Sequence, residues 1–423
     1  MPPLKAAFFY PCHNTALTYL STMMFNEVIG QPFIKERLRE MVSRQRLSHA
    51  LLFLGREGNG ALPLARAFSQ YLVCEKNKPS SKQESRGLFG EVTSSHSKSD
   101  WQPDSCGICP SCVKTAQMIH PDIHYSFPVI PKKTGDKPIS TDYIREWREF
   151  MMQFPYGNTF DWLQFIGAEN KQGNITSDEC NDIIRKLNLK SFERSYKILL
   201  MWMPEYLGKE GNKLLKLIEE PPDNTLFILV AEDEDRILPT IISRTQLVRV
   251  PALTPNEIEI ALGERAGATP EQSRRIAAVA DGNYREALAQ LQHAESDWQA
   301  VIRDWLNATL KINPLAQVKW VEEISKAGRE KQKQFLRYFN HLLEQSIHLR
   351  TLGPDSLHVP ENELDFALRL NKLTSLAQQK AIIEELDRAS YHIERNANPK
   401  MLFQALTIKL YHIISDNSLI LMN

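Results

Sequence analysis

Three thiols crowd into one short stretch: Cys106, Cys109 and Cys112, each separated from the next by two residues. That spacing lets neighbouring sulfurs reach one tetrahedral ion at about 2.3 Å, and a structural zinc site is closed by four such ligands. Cys74, at the end of a helical stretch that follows a glycine loop, is the expected fourth ligand. His120 and His124 are the runners-up, although His120-Pro121-Asp122 reads more simply as a turn entering a strand. An iron–sulfur cluster fits less well, because the bacterial run needs a further cysteine and a proline that do not follow Cys112 appropriately. Six cysteines in 423 residues are too few for a disulfide scaffold, so the cluster is read as structural zinc in a reducing compartment.

A second constellation is Gly55-Arg56-Glu57-Gly58-Asn59-Gly60. A working phosphate loop continues with lysine and a hydroxyl residue: backbone N–H groups cradle the phosphates, the lysine reaches the β/γ oxygens and the hydroxyl holds Mg²⁺. Here those positions are Ala61 and Leu62, with Pro63 next, and none supplies a cation or a metal ligand. The acidic site expected at the end of a later strand is also missing. The best candidate ends Leu200-Met201-Trp202-Met203-Pro204-Glu205, with apolar residues where adjacent carboxylates would be needed. Glu205 is read as solvated or structural. The pattern describes a nucleotide-binding fold without nucleotide chemistry.

These residues need elements to hold them. The apolar run 50–54, ended by glycine, reads as a buried parallel strand. Ahead of it Ile34, Leu38 and Met41 fall at helical spacing, and a helix is expected to run from the loop through Tyr71. Strand, glycine loop and helix open a nucleotide-binding α/β domain. Further strands are expected at 197–203 and 225–230 with a helix at 212–218 between them, giving a mostly parallel sheet covered on both faces. Thr176 and Glu179 make a capping box ahead of Cys180, Ile183, Ile184 and Leu187, which places Cys180 in the core. An aromatic stretch with Trp147, Phe150, Phe154, Phe160, Trp162 and Phe165 is expected to pack as an extra helix and loop. Beyond Pro251 strand signals vanish: 254–292 reads as short helices and 296–423 as longer ones, broken at Gly353-Pro354.

Composition bounds the alternatives. Lys plus Arg total 51 and Asp plus Glu total 51, and this zero balance argues against a chain that grips DNA by bulk positive charge. Apolar residues at 42% and charged residues at 24% exclude wholesale disorder. No apolar run is long enough to span a membrane, and the apolar piece at 6–10 is too short for a secretory signal, so a cytoplasmic protein is expected. The length suggests roughly three domains. The division expected is an N-terminal extension (1–24), an α/β core (25–250) with the zinc module at about 74–112 and a flexible insertion at 75–105, a helical lid (251–296) and a helical region (297–423).

Together these residues carry a resemblance. Phe25-Asn26-Glu27-Val28-Ile29-Gly30-Gln31, His49-Ala50-Leu51-Leu52-Phe53, the glycine frame and the cysteines look like a bacterial clamp-loader subunit of the AAA+ ATPase type. The run from Asn212 to Pro222 is close to that family's most distinctive segment, and Ile242-Ser243-Arg244-Thr245 resembles its Ser-Arg-Cys motif with threonine for cysteine. Gly282-Asn283-Tyr284-Arg285 is similar to the G-x-x-R of the lid, and 396–403 to a C-terminal helix of DNA polymerase III loader subunits. The aromatic segment at about 131–172 departs from the pattern. The resemblance implies a collar joining five subunits, partnership with the delta and gamma/tau subunits and the sliding clamp, and only indirect contact with primer-template DNA. It also implies that Arg244, with Ser243, acts in trans on ATP bound by a neighbouring motor subunit, and that Arg285 either reads phosphate or packs the lid on the core. The alternatives are a catalytically active motor, which Ala61 and Leu62 speak against, and a zinc-containing DNA-binding protein using basic clusters such as Arg37, Arg39, Arg44 and Arg46.

Overall fold

Strand β1 (Ala50–Leu54) is buried on both faces, as its uninterrupted apolar sequence requires. In the computed structural model, which describes residues 23–77, 102–133, 135–168, 171–292, 298–311, 313–353, 361–395 and 397–415, it is the fourth strand of a five-stranded parallel sheet. Most of the expected 1–24 extension and of the 75–105 insertion lies outside the described residues. The other strands are β2 (Ile123–Ser126), β3 (Lys197–Trp202), β4 (Thr225–Ala231) and β5 (Gln246–Arg249), in the order β2-β3-β4-β1-β5. Leu52 pairs with Leu229, and Leu200 with Ile228. Period-two alternation sends Leu51, Phe53, Leu200 and Trp202 into one core layer and Leu52, Leu199, Met201 and Leu229 into the other.

Helices α1 (Pro32–Ser43), α2 (Ala61–Val73) and α3 (Pro110–Ala116) precede β2. Helices α4 (Ile144–Gln153), α5 (Thr159–Phe165) and α6 (Ser177–Leu187) lie between β2 and β3. The aromatic stretch packs as its composition suggests. Trp147 stacks on Phe127 at 4.1 Å between ring centroids and meets Trp162 edge-on at 5.3 Å. The cap of α6 is one-sided: Thr176 accepts the N–H of Glu179 at 3.1 Å, but the Glu179 carboxylate turns away to accept the N–H of Ser140 at 2.6 Å. A second tertiary donor has outbid the local partner.

The expected helix at 212–218 is a 3-10 segment, Pro204–Leu214, interrupted at Gly208, followed by the short α7 (Leu215–Glu219). A short α8 (Pro239–Ile242) leads to β5, an edge strand with one buried side chain, which is why its sequence carries little strand signal.

Contacts divide the chain into two units, one of residues 1–261 with 281–286 and one of 262–280 with 287–423. Helix α9 (Pro255–Ala266) crosses that division, and α10 (Pro270–Val279) is capped by a Thr269–Gln272 box. There follow α11 (Tyr284–Gln292), α12 (Trp298–Leu310), α13 (Pro314–Lys326), α14 (Arg329–Leu352), α15 (Glu361–Leu373), α16 (Leu376–Glu394) and α17 (Pro399–Ser415). The second unit's core centres on Trp305, stacked on Trp320 at 4.5 Å with Phe335, Phe339 and Phe403 around the pair. The Trp305 indole N–H donates to Thr407 at 2.9 Å, so its polar edge is satisfied inside that core.

One buried carboxylate organises the first unit's sheet edge. Asp122 accepts the backbone N–H groups of Phe192, Glu193 and Arg194, holding the 190–195 turn against the start of β2. Replacing Asp122 with alanine would strand three donors. The expected result is a loss of about 2–4 kcal/mol in urea unfolding, since charged acceptors of this kind contribute more than neutral ones.

Candidate functional site

The glycine loop stands between β1 and α2, where the sequence puts it, but the N–H groups of Gly55, Asn59 and Ala61 are already engaged. The N–H of Ala61 bonds to the Asn59 side-chain oxygen at 3.0 Å, and the Asn59 amide donates to Val250 O at 2.7 Å. Pro63 has no N–H to offer. Ala61 and Leu62 are buried in the first turn of α2. Tyr156, from the turn after α4, lies over the loop: a Cβ on Gly60 would stand 3.1 Å from its ring. The Tyr156 hydroxyl oxygen accepts the N–H of Ile29 at 2.9 Å. The cavity over the loop, lined by Gly58, Gly60, Tyr156, Trp202, Met203 and Glu232 among others, has a volume of about 30 Å³. Small-molecule pockets run to roughly 300–1,000 Å³.

At the end of β3, Trp202 is 2% exposed and packs against Trp147 at 5.2 Å. The indole that stands where a metal-binding carboxylate would be needed is therefore a core contact of the aromatic segment. Glu205 is buried and structural. One oxygen caps the N–H groups of Glu232 and Asp233 at 2.6 and 3.0 Å, and the other has no hydrogen-bond partner among the described residues. Burial raises its pKa above the ordinary 4.5. A carboxyl raised on folding contributes its stability in full below the unfolded pKa and loses it as pH rises through the folded one. Glu205→Gln is therefore expected to flatten the decline of stability from pH 4.5 upward, read by denaturant titrations at several pH values.

The run Gly282-Asn283-Tyr284-Arg285 docks on this same loop. The N–H of Tyr284 donates to Gly58 O at 3.1 Å, and Asn283 donates to Glu57 at 3.2 Å. Gly58 must lack a side chain, because it has φ +71° and a Cβ there would lie 1.8 Å from the Asn283 side-chain oxygen. Arg285 forms two parallel bonds of 2.7 Å to Asp161 and a third of 3.3 Å to Glu57. Asp161 is the residue sequence reasoning missed; its signal was the N-D pair that starts α5, where Asn158 and Asp161 also cap each other.

The four cysteines come together. The sulfurs of Cys74, Cys106, Cys109 and Cys112 all lie within 4.8 Å of one another, and those of Cys106 and Cys112 are 4.0 Å apart. Four thiolates around one ion at 2.3 Å would stand about 3.8 Å apart, so the set can bind a metal. Backbone N–H groups of Cys106, Glu75 and Cys109 donate to Cys74, Cys109 and Cys106 at 3.3, 3.5 and 3.4 Å, which favours charged sulfur. The Cys112 thiol holds Cys74 down at about 5 and is itself pushed up. His120 and His124 stand outside the set. His120 accepts the N–H of Asp122 at 3.2 Å and faces Glu193, while burial lowers His124 to about 4. Cys180 is a buried core thiol, raised to about 11 by burial.

Arg244 follows α8, with Ser243 beside it. Its guanidinium is about one-third exposed, pairs with Glu219 and donates to Thr240 O at 2.8 Å and Ser243 Oγ at 3.2 Å. Of Arg37, Arg39, Arg44 and Arg46 on or after α1, Arg39 and Arg44 pair with Glu36 and Glu40. Among the described residues no helix is long and apolar enough to cross a membrane.

The family described as "DNA polymerase III, delta subunit" matches residues 30–88 and 82–254. The chain is 24% identical to DNA polymerase III subunit tau of Bacillus subtilis over 76% of this chain and 46% of that protein. It is 24% identical to subunit delta' of the same organism over 61% of this chain and 58% of that protein. It thus spans about half the length of the curated relatives it matches. A solved gamma subunit-related protein of Thermotoga maritima aligns over 89% of this chain at 14% identity, with a TM-score of 0.36. Since the family match covers more than half of the sequence, the chain belongs to the DNA polymerase III delta-subunit family.

Proposed function

We propose that this chain is the non-hydrolysing, delta-prime-type subunit of the DNA polymerase III clamp loader, built on an AAA+ core with a zinc module, a lid and a helical collar. One observation carries the reading. A loop of the right shape and place has Ala61 and Leu62 for its lysine and hydroxyl, and Trp202 and Met203 for its acidic pair. Phosphoryl transfer is catalysed almost entirely by positioning and by charge on those groups, and none of it is available here. The gamma/tau motor reading draws on relatives of equal similarity but requires the missing groups. The sheet order and the C-terminal helices support the AAA+ and collar assignments, and the four-thiol geometry supports zinc.

In this role the chain works in the cytoplasm beside the delta and gamma/tau subunits, helps place the sliding clamp on primed DNA, and touches that DNA indirectly. It lends Arg244, with Ser243, to ATP on the neighbouring motor subunit. The purified chain is expected to turn over no Mg·ATP above background, and to co-purify with delta and gamma/tau in a complex that depends on residues 297–423. Turnover by the chain alone would reassign it as a motor, and failure to join that complex would remove the loader role.

A further inference from the structure

The degenerate loop lies under a set of contacts that its lost chemistry does not explain. Arg285 is nearly buried, its side chain 10% exposed, and its planar fork is met face to face by the Asp161 carboxylate. Glu57, inside the glycine frame, takes its third edge and the Asn283 amide together. Tyr156 covers Gly60 and meets Tyr284 edge-on at 5.1 Å, so one turn of the aromatic segment touches both the loop and the 282–285 run. Asn59 fills the first N–H of α2. A bidentate guanidinium–oxyanion pair is the geometry by which arginine recognises phosphate as well as carboxylate. Asp161 and Glu57 both face this guanidinium, so carboxylates already hold the edges that a phosphate would take; Arg56 at the rim is exposed.

We propose that Asp161 is a built-in anion that occupies, for Arg285, the station of a nucleotide phosphate, and that with Tyr156 it latches residues 281–286 onto the glycine loop in the absence of any nucleotide. The latch is part of the first unit alone, because 281–286, the loop and the 155–161 turn all belong to it. The aromatic insertion thereby has a task beyond filling the core: it replaces a diffusible ligand with a covalently attached one. A tethered carboxylate has no binding equilibrium with solvent, so the docked state does not depend on ATP concentration. This deepens the reading of the loop as non-hydrolysing and rests on it.

Hydrogen exchange by mass spectrometry on the full chain tests the latch directly. Amides of residues 281–286 are expected to be protected, indifferently to added Mg·ATP, and to exchange about tenfold to hundredfold faster in Asp161→Asn, which keeps the α5 cap but gives up the charge. Unchanged exchange in that variant, or protection that rises with Mg·ATP in the wild type, overturns the latch. A second measurement separates the latch from the loop's own defects. Ala61→Lys with Leu62→Thr supplies the loop's lysine and hydroxyl, the groups that hold phosphate and Mg²⁺ there, and a fluorescent ATP analogue with Mg²⁺ is expected to bind the altered chain only when Asp161→Asn is added. Equal affinity with and without Asp161→Asn overturns the proposal. Hydrolysis by the unmodified chain would instead strike the underlying reading of the loop, an outcome neither measurement can be confused with.

Discussion

If the four thiols hold zinc as proposed, Cys112→Ser is expected to lower the stability of the first unit by at least about 3 kcal/mol and its Tm by roughly 10 °C, and to abolish metal binding. The size follows from what the cluster ties together. Cys74 ends α2, Cys106 and Cys109 lead into α3, and Cys112 is fully buried within α3. Beside them Gln70 donates to Ser105 at 2.9 Å, and Asp104 accepts the N–H groups of Phe25 and Asn26 at 3.1 and 3.0 Å. A tetrahedral ion that loses one of four thiolates loses most of its affinity, and Cys74, Cys106 and Cys109 are then left crowded together without a cation between them. Zinc content by atomic absorption and a thermal melt under reducing conditions check this together. A folded, reduced chain that holds no metal and melts unchanged as Cys112→Ser would refute the zinc module. Strong chelators should reproduce the variant's melt in the wild-type chain, with recovery on adding zinc.

The second large effect concerns Arg244. On the proposed reading, Arg244→Ala in a reconstituted loader should cut turnover at the adjacent motor site by about 10³–10⁵, with the loader's total DNA-stimulated rate falling by that site's share. Arg244→Lys should fail nearly as badly, because a point charge does not replace a planar, always-charged fork. In the free chain the guanidinium rests on Glu219 and the Thr240 carbonyl at the surface, so it can be given to a partner without opening the core. An exposed pair of this kind contributes little to stability, and the variants should melt with the wild type. Arg249→Ala is the control, since Arg249 is 67% exposed and pairs only loosely with Glu234. DNA-stimulated ATPase that is the same with Arg244→Ala as with Arg249→Ala would exclude the trans role.

The sequence by itself determined those features that depend on local spacing and on residue type. The apolar run 50–54 had to be a doubly buried strand, Cys180, Ile183 and Leu187 had to share a buried helix face, and the thiols at Cys106, Cys109 and Cys112 had to lie close together, although the structure puts Cys112 in α3 rather than on the loop. The absence of a lysine and a hydroxyl at Ala61 and Leu62, and of adjacent carboxylates in the run 200–205, is likewise a property of side chains, legible without coordinates. Tertiary structure decided what depended on partners distant in the chain. It turned Glu179 from its own helix cap to Ser140, wrapped the 192–194 turn around Asp122, packed Trp202 on Trp147 and set Asp161 against Arg285, 124 residues away. No periodicity encodes such pairs, because a buried donor or charge takes whichever acceptor the fold brings within reach, and that choice is made only when the layers close.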